Sequence, residues 1–271
     1  MAKDRTVAFK QSTLLPNIEI RIADKSSACY DAHSHDEFSF GVIQQGTAHY
    51  RNLGSQHQIG RGDIVTINPS DIHSCNPVTV SWSYNMLFVD THWMGNIQQQ
   101  ITGDRQYDYC AFLHDYEKGG EVRNSFQKLY TSLVNGHSYL EAETHFYDFI
   151  EECLQQSNTN TLRTTSVLPH LQRVKEKLFD NVEYNLRLSE IAEEVGVSQY
   201  HLIRSFKQFY GLSPHAYLLD ERIKRAKSML KTGQTIVDTS NALGFSDQAH
   251  FQRNFKRRVA ATPRVYQSFS L

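Results

Sequence analysis

The chain has 271 residues, 39% of them hydrophobic and 21% charged, which is enough apolar material for one large or two ordinary globular domains. It contains no run near the roughly 18 apolar residues of a membrane helix and no apolar segment at its start, so we expect neither a membrane span nor a signal peptide. The four cysteines never form a C-x-x-C pair, which argues against a zinc ribbon or a disulfide framework and is typical of reduced thiols.

The net charge of −1 hides an asymmetry between the two parts of the chain. Residues 1–160 carry 11 Lys and Arg against 19 Asp and Glu, a balance of −8. Residues 161–271 carry the remaining 17 basic and 10 acidic residues, a balance of +7. This basic third predicts a module that binds a polyanion, joined to a domain with another task.

In chain order, the first elements read as β-strands. Short alternating apolar runs such as FSFGVI, AHYRN, DIVTIN and SWSYNMLFV are separated by turns rich in glycine. With no helix between them, they predict an antiparallel barrel or sandwich. Two amphipathic helices follow, within residues 122–136 and 139–156, and these should pack against each other.

The stretch DAHSHDEFSFG places His33, His35 and Glu37 at alternate positions, as on one face of a strand. At about 3.3 Å per residue, the Cα atoms of His33 and Glu37 would lie about 13 Å apart on a straight strand. One metal ion with ligand bonds of about 2.1 Å could not take both without straining that strand. The histidines therefore predict either a site without Glu37 or a polar pocket.

The polar residues 157–166 coincide with the change in charge and predict a linker between a domain at 1–156 and one at 167–271. The second domain contains an internal duplication. IAEEVGVSQYHLIRSFKQFYGLSPHAY is repeated as TSNALGFSDQAHFQRNFKRRVAATPRVY, with Gly196 matching Gly244 and Phe206 matching Phe255. Each copy has the pattern of a helix-turn-helix, with a glycine turn and then a cap, Ser198 in the first copy and Ser246 or Asp247 in the second. A long helix between the copies would join them.

The second helix of each copy should place aromatic and aliphatic residues inward and polar residues outward. On its outward face the second copy carries side chains that read base edges, followed by a basic cluster, whereas ordinary surface helices pair Glu with Lys. This pattern predicts contact with DNA.

At these residues, the last hundred or so positions resemble the AraC/XylS family of bacterial transcription regulators. The resemblance implies that the two second helices enter successive major-groove segments. By position it implies base contacts from Tyr200, Ile203, Arg204, Gln248, His250, Gln252 and Arg253. It implies backbone contacts from Ser198, Lys207, Ser246, Lys256 and Arg257. Ala260 replaces a usual glycine, and Thr239-Ser240 replaces a usual apolar-Ala pair, so we expect the second copy to be the less stable one.

Residues 30–77 resemble the cupin-like effector domain that often precedes this module. The resemblance makes His33, His35 and His73 metal ligands by position, and three interpretations stay open: a catalytic metal site, a structural or sensed metal, and a polar effector pocket. We favour the pocket, with no metal or cofactor. Its candidate residues are His33, His35, Glu37, Tyr50, His73 and Trp82.

The sequence thus predicts two domains, an antiparallel cupin-like barrel with two following helices and an all-α double helix-turn-helix. The function predicted is a cytoplasmic, nucleoid-associated DNA-binding regulator, not an enzyme, controlled by a small-molecule effector. The resemblance also implies a homodimer and contact with RNA polymerase. We expect an activator, while the sequence itself leaves both activation and repression open. The alternatives are a metal-dependent cupin dioxygenase or isomerase and a constitutive DNA-binding protein whose barrel only dimerises.

Overall fold

A computed structural model describes residues 6–103, 108–136, 138–156 and 168–270. The predicted linker at 157–166 lies outside the described residues. Contacts divide the chain into two units: the first comprises Met1–Cys29 and His35–Thr161, and the second comprises Tyr30–Ser34 and Leu162–Leu271. None of the described helices combines the length and the apolar character that crossing a membrane requires.

The first unit is built on two antiparallel sheets, which confirms the predicted cupin-like fold. The larger sheet has the order β1-β2-β8-β3-β6-β9 and the smaller one the order β5-β4-β7. Their strands are β1 (Val7–Gln11), β2 (Ile18–Ser26), β3 (Phe38–Gln45), β4 (Ala48–Asn52), β5 (Ser55–Ile59), β6 (Asp63–Ile67), β7 (His73–Pro77), β8 (Trp82–Val89) and β9 (Tyr116–Lys118).

Three helices accompany these sheets: α1 (Thr91–Thr102), α2 (Gly120–Asn135) and α3 (Tyr139–Gln156). The two predicted helices are confirmed, whereas α1 was not predicted. Alternate residues of the larger sheet, such as Phe40 and Leu87, join one core cluster with Phe126 and Phe149 of the helices. Because side chains alternate along a strand, the residues between them, such as Ser39 and Phe88, lie on the opposite face.

The second unit is helical and confirms the predicted order of helix-turn-helix, joining helix and helix-turn-helix. Its helices are α4 (Pro169–Asp180), α5 (Leu188–Glu194), α6 (Gln199–Tyr210), α7 (Pro214–Lys231), α8 (Ile236–Ala242), α9 (Gln248–Val259) and α10 (Pro263–Ser270).

The short segment Tyr30–Ser34 is part of this second unit. The Ser34 hydroxyl and backbone N–H both donate to the carboxylate of Asp220 on α7, at 2.7 and 3.0 Å. Asp220 is 1% exposed, and burial raises its pKa to about 6 although Lys224 and Arg258 lie within 3.9 and 3.7 Å. The segment therefore supplies hydrogen bonds to a buried acid of α7.

Candidate nucleic-acid interface and effector site

The first helix-turn-helix consists of α5, a turn at Gly196 and α6. Gly196 adopts φ +71°, a left-handed conformation that costs a residue with a side chain about 1–2 kcal/mol. The Ser198 hydroxyl accepts a hydrogen bond from the His201 backbone N–H at 3.2 Å, so the predicted N-cap is confirmed. Leu202 and Phe206 are fully buried and orient the opposite face of α6 outward.

The outward face of α6 carries the residues for which the first copy predicts DNA contact. Tyr200 is 68% and Ile203 37% exposed, and Arg204 and Lys207 are exposed as well. No acidic residue occupies the first turn of α6, and Lys207 lies in its last turn. The face can therefore approach phosphates without a carboxylate repelling them at the start of the helix.

The second copy consists of α8, a turn at Gly244 and α9. Of the two caps considered, Asp247 is the one used: its carboxylate accepts from the His250 backbone N–H at 2.6 Å. That hydrogen bond holds the pKa of Asp247 below its usual value. Phe251 and Phe255 are fully buried, as expected.

The face of α9 opposite this core is polar and basic. Gln248, Arg253, Lys256 and Arg257 are exposed, while His250 and Gln252 are half-buried. The exposed Ser246 hydroxyl lies 3.2 Å from the His250 Nδ1. Lys256 and Arg257 belong to the last turn, so the two basic phosphate-binding candidates of α9 lie at its C-terminal end.

Arg222 of α7 forms hydrogen bonds to several segments of this unit, a role that the sequence did not indicate. Its guanidinium donates to the backbone carbonyls of Val182, Tyr184 and Gly244 at 2.7, 2.9 and 2.8 Å and to the Asn185 amide oxygen at 3.1 Å. Only 2% of Arg222 is exposed. It therefore connects the joining helix, the α4–α5 loop and the turn of the second copy.

The turn of the second copy is also the more crowded of the two. A Cβ at Gly244 would stand 2.0 Å from the Glu183 carbonyl oxygen, whereas a Cβ at Gly196 would meet no atom of the described residues within 4 Å. Ala260 and Thr239-Ser240, the departures from the family pattern, also lie in the second copy. Ala260, the C-cap of α9, has φ +55°, which favours glycine. The hydroxyls of Thr239 and Ser240 are buried and have no hydrogen-bond partner among the described residues.

In the first unit, the structure brings two of the candidate pocket histidines together. The rings of His35 and His73 lie 4.8 Å apart, edge to face, and His35 packs against Phe88 at 5.3 Å. The Nδ1–H groups donate to the carbonyl oxygens of Glu37 and Asp71 at 2.8 and 2.9 Å. Because a carbonyl can only accept, both rings carry a proton on Nδ1.

Tyr50 belongs to the same end of the barrel. Its hydroxyl donates to the Thr66 carbonyl at 3.2 Å and accepts from the Asn52 amide at 3.0 Å. Asn52, which pairs with His73 across β4 and β7, was missed by the sequence analysis. It is 3% exposed, and its Oδ1 has no hydrogen-bond partner among the described residues, so it is a buried acceptor that a ligand could use.

The candidate pocket residues His33 and Glu37 do not place their side chains with those of His35, His73 and Tyr50. β3 begins at Phe38, so His33, His35 and Glu37 precede the strand and the predicted strand through them is wrong. His33 belongs to the segment of the second unit, where it stacks on Tyr30 and its Nδ1 bonds the Asp31 carbonyl. Glu37 is half-buried and contributes its carbonyl oxygen to His35.

Trp82 is buried beside Tyr84 at the start of β8. It stands six residues from Phe88, which is about 20 Å along a strand, so it does not share a site with His35. The three-histidine metal alternative is also disfavoured, because His35 Nε2 accepts from the Ser39 hydroxyl at 3.1 Å. The described ranges contain no group of three or more side chains placed to hold a metal ion.

Two charged residues on β2 are buried, which the sequence did not indicate. Ile18 and Ile20 belong to the core cluster with the helices, so Glu19 and Arg21 face the other way, yet they are only 7% and 6% exposed. The Arg21 guanidinium lies 5.1 Å from the Phe9 ring centroid and 5.6 Å from that of Tyr84. The barrel-facing side of this sheet is therefore partly polar.

Comparison with known proteins gives this geometry its context. A family model described as an AraC-like ligand binding domain matches residues 15–150, and one described as a helix-turn-helix domain matches residues 191–268. The chain belongs to the AraC family of transcription regulators. It therefore combines an N-terminal ligand-binding domain with a helix-turn-helix DNA-binding domain.

Individual relatives agree with this assignment. The uncharacterized HTH-type transcriptional regulator YbfI of Bacillus subtilis is 30% identical over 225 residues, which cover 80% of each chain. The HTH-type transcriptional activator RhaS of Klebsiella pneumoniae is 22% identical over 94% of this chain and 93% of its own.

Solved structures of ToxT from Vibrio cholerae share the fold of this AraC-family chain. An apo ToxT structure has a TM-score of 0.59 at 14% identity, covering 94% of this chain and 98% of its own. A ToxT structure bound to an unsaturated fatty acid has a TM-score of 0.57, also at 14% identity, covering 99% and 97%.

Proposed function

We propose that α6 and α9 enter two successive major-groove segments and that their outward faces read the DNA. The proposed base contacts are Tyr200, Ile203, Arg204, Gln248, His250, Gln252 and Arg253. The proposed phosphate contacts are Ser198, Lys207, Ser246, Lys256 and Arg257. The observation that carries this proposal is the exposed face of α9, where base-reading side chains precede two exposed cations in the last turn.

Two substitutions on α9 separate base reading from phosphate binding. Arg253→Ala should cost about 1–3 kcal/mol on the preferred site and relax the preference at one base pair. Lys256→Ala should weaken binding to every sequence and reduce the slope of log K against log salt by about one. Mobility-shift titrations at several salt concentrations measure both effects. Binding like wild type in both variants would refute the assignment.

For the first unit, we propose that a small polar effector binds at the end of the barrel formed by His35, His73, Tyr50 and Asn52. The buried Oδ1 of Asn52 calls for a hydrogen-bond donor, such as a hydroxyl or amino group, and the Phe88 ring can cover an apolar part of the ligand. Although ToxT takes an unsaturated fatty acid, the polar groups here favour a more hydrophilic ligand.

This effector proposal can be tested by thermal shift with a panel of monosaccharides, polyols, amines, amino acids and fatty acids. A polar compound should raise the melting temperature of the wild-type protein. Asn52→Leu, which keeps the branched shape of the side chain but removes the acceptor, should abolish that shift. Trp82→Phe, at the start of β8 about 20 Å along the strand from Phe88, should keep it. A response to fatty acids alone would contradict the proposal.

We further propose that the protein acts in the cytoplasm as a homodimeric activator that contacts RNA polymerase and has no catalytic activity. The activator name of RhaS supports the direction of control, and the exposed side chains of Tyr139 and Leu140 on α3 support a subunit interface there. Light scattering of wild type against Leu140→Glu tests the dimer, because a buried charge at the interface should yield monomers. A monomeric wild-type protein would contradict it.

A further inference from the structure

The two proposed base-reading arginines occupy equivalent places in the duplicated units but have different neighbours. Arg204 on α6 and Arg253 on α9 are 49 residues apart, the same offset as the buried Phe206 and Phe255. Both helices have twelve residues and begin at a glutamine after a capping side chain. The two arginines therefore occupy equivalent backbone positions. What differs is the side chain four residues before each arginine.

On α6, that neighbour is Tyr200, one turn before Arg204. The Arg204 Nη1 donates to the Tyr200 hydroxyl at 2.8 Å, and the guanidinium carbon lies 5.6 Å from the ring centroid. A hydrogen bond and a cation–π contact thus hold the same guanidinium on the exposed face. On α9, the equivalent neighbour is Ala249, which offers neither a ring nor a hydroxyl.

Holding Arg204 in place has a direct consequence for reading a base. An exposed arginine loses much rotamer freedom when it forms two parallel hydrogen bonds to one base. Tyr200 has already restricted that freedom before DNA arrives. Tyr200 engages one N–H of the five that a guanidinium carries, so four remain for a bidentate contact with a guanine.

We propose that Tyr200 is a positioning residue that presents Arg204 to a guanine, so that the first unit reads one base pair more strictly than the second. This role replaces the direct base contact proposed above for Tyr200: Tyr200 acts through Arg204 and contacts no base of its own. Arg253, which lacks this support, adapts its geometry to the site. This inference rests on the proposed DNA contacts of Arg204.

The experiment uses the full-length protein and selection from a randomised duplex DNA library, followed by titration of the selected site and its single-base variants. Arg204→Ala should remove discrimination at one base pair. Tyr200→Phe, which keeps the ring but removes the hydroxyl, should reduce discrimination at that same pair by about 3- to 10-fold, the value of one hydrogen bond. Affinity for unselected DNA and the salt slope should stay as in wild type.

Two further variants complete the test. In the Arg204→Ala background, Tyr200→Phe should have no further effect, because the pair acts as one unit. Ala249→Tyr should give Arg253 the same hydrogen bond and ring contact. It should increase discrimination at the base pair where Arg253→Ala reduces it and leave discrimination at the Arg204 base pair unchanged.

The outcomes are separable. If wild type selects no sequence, or Arg204→Ala loses no discrimination, the proposed DNA contacts fail. If Arg204→Ala loses discrimination but Tyr200→Phe matches wild type, only the positioning role is overturned. A change at a different base pair in Tyr200→Phe would also overturn it, since Tyr200 would then contact a base directly.

Discussion

Replacing Arg222 by alanine should destabilise the helical unit far more than an ordinary surface substitution. The variant leaves three backbone carbonyls and one amide oxygen without their charged donor. Each such bond contributes about 1.5–3 kcal/mol, but contacts that share one side chain do not add simply. We therefore expect a loss of about 4 kcal/mol, in the range for breaking a buried charged contact.

Arg225→Ala on the same helix is the matched control. Its guanidinium donates to a single backbone carbonyl, that of Phe179, at 2.6 Å, and lies 5.0 Å from the Phe179 ring centroid. These contacts lie near the surface, where water can replace the hydrogen bond. We expect a loss of about 1 kcal/mol from this variant.

Urea unfolding of the full-length protein distinguishes the two variants. With a slope of about 2 kcal/mol per molar urea, Arg222→Ala should lower the helix transition at 222 nm by about 2 M and Arg225→Ala by about 0.5 M. Both tryptophans, Trp82 and Trp93, lie in the first unit, so their emission reports that unit separately. Equal shifts for the two variants would refute the role assigned to Arg222.

Three further predictions concern the same unit. Gly244→Ala should cost at least 2 kcal/mol more than Gly196→Ala in urea unfolding, because only the former adds a clash to the strained φ; equal costs would refute the crowding. Ala260→Gly should raise stability by about 1 kcal/mol by relieving the positive φ. Ser240→Ala should also raise it by about 1 kcal/mol by removing a buried hydroxyl that has no partner among the described residues, and a loss of stability in both variants would contradict this account of the second copy. The pKa of Asp220 is raised from 3.8 to about 6 in the folded state. The contribution of this shift to the free energy of unfolding is therefore complete below pH 4 and is lost as the pH rises through 6. The stability of wild type relative to Asp220→Asn should therefore fall by about 2 kcal/mol between pH 4.5 and 7.5, and a pH-independent difference would show that this carboxyl is not shifted.

The helical unit was predictable from sequence because its signals are local. Glycine at the turn, a capping side chain and apolar residues at helical spacing lie within a few residues of one another, and the duplication repeats them. The Ser198 cap was identified directly, while the choice between Ser246 and Asp247 depended on backbone geometry that the spacing does not specify. Arg222 was missed because its four acceptors are 22 to 40 positions away in sequence.

The barrel was predictable as a class but not in its details. Where a strand begins depends on pairing with distant strands, and β3 pairs with β8 only from Phe38 onward, which moved His35 and Glu37 into the preceding loop. The alternation of Glu19 and Arg21 with isoleucines suggests that one face of β2 is exposed to solvent, but the residues of both faces are buried. Leu140 is apolar and would be expected in the core from its residue type alone, yet it lies in the first turn of α3 and is 71% exposed.

The central claim is that α6 and α9 both read DNA, and hydroxyl-radical footprinting on the selected site tests it most directly. For each bound subunit, two protected segments about 10–10.5 bp apart on one face of the duplex are expected for two reading helices in successive major grooves. Arg204→Ala should weaken protection in one segment and Arg253→Ala in the other. A single protected segment, or one that both variants weaken equally, would contradict the account.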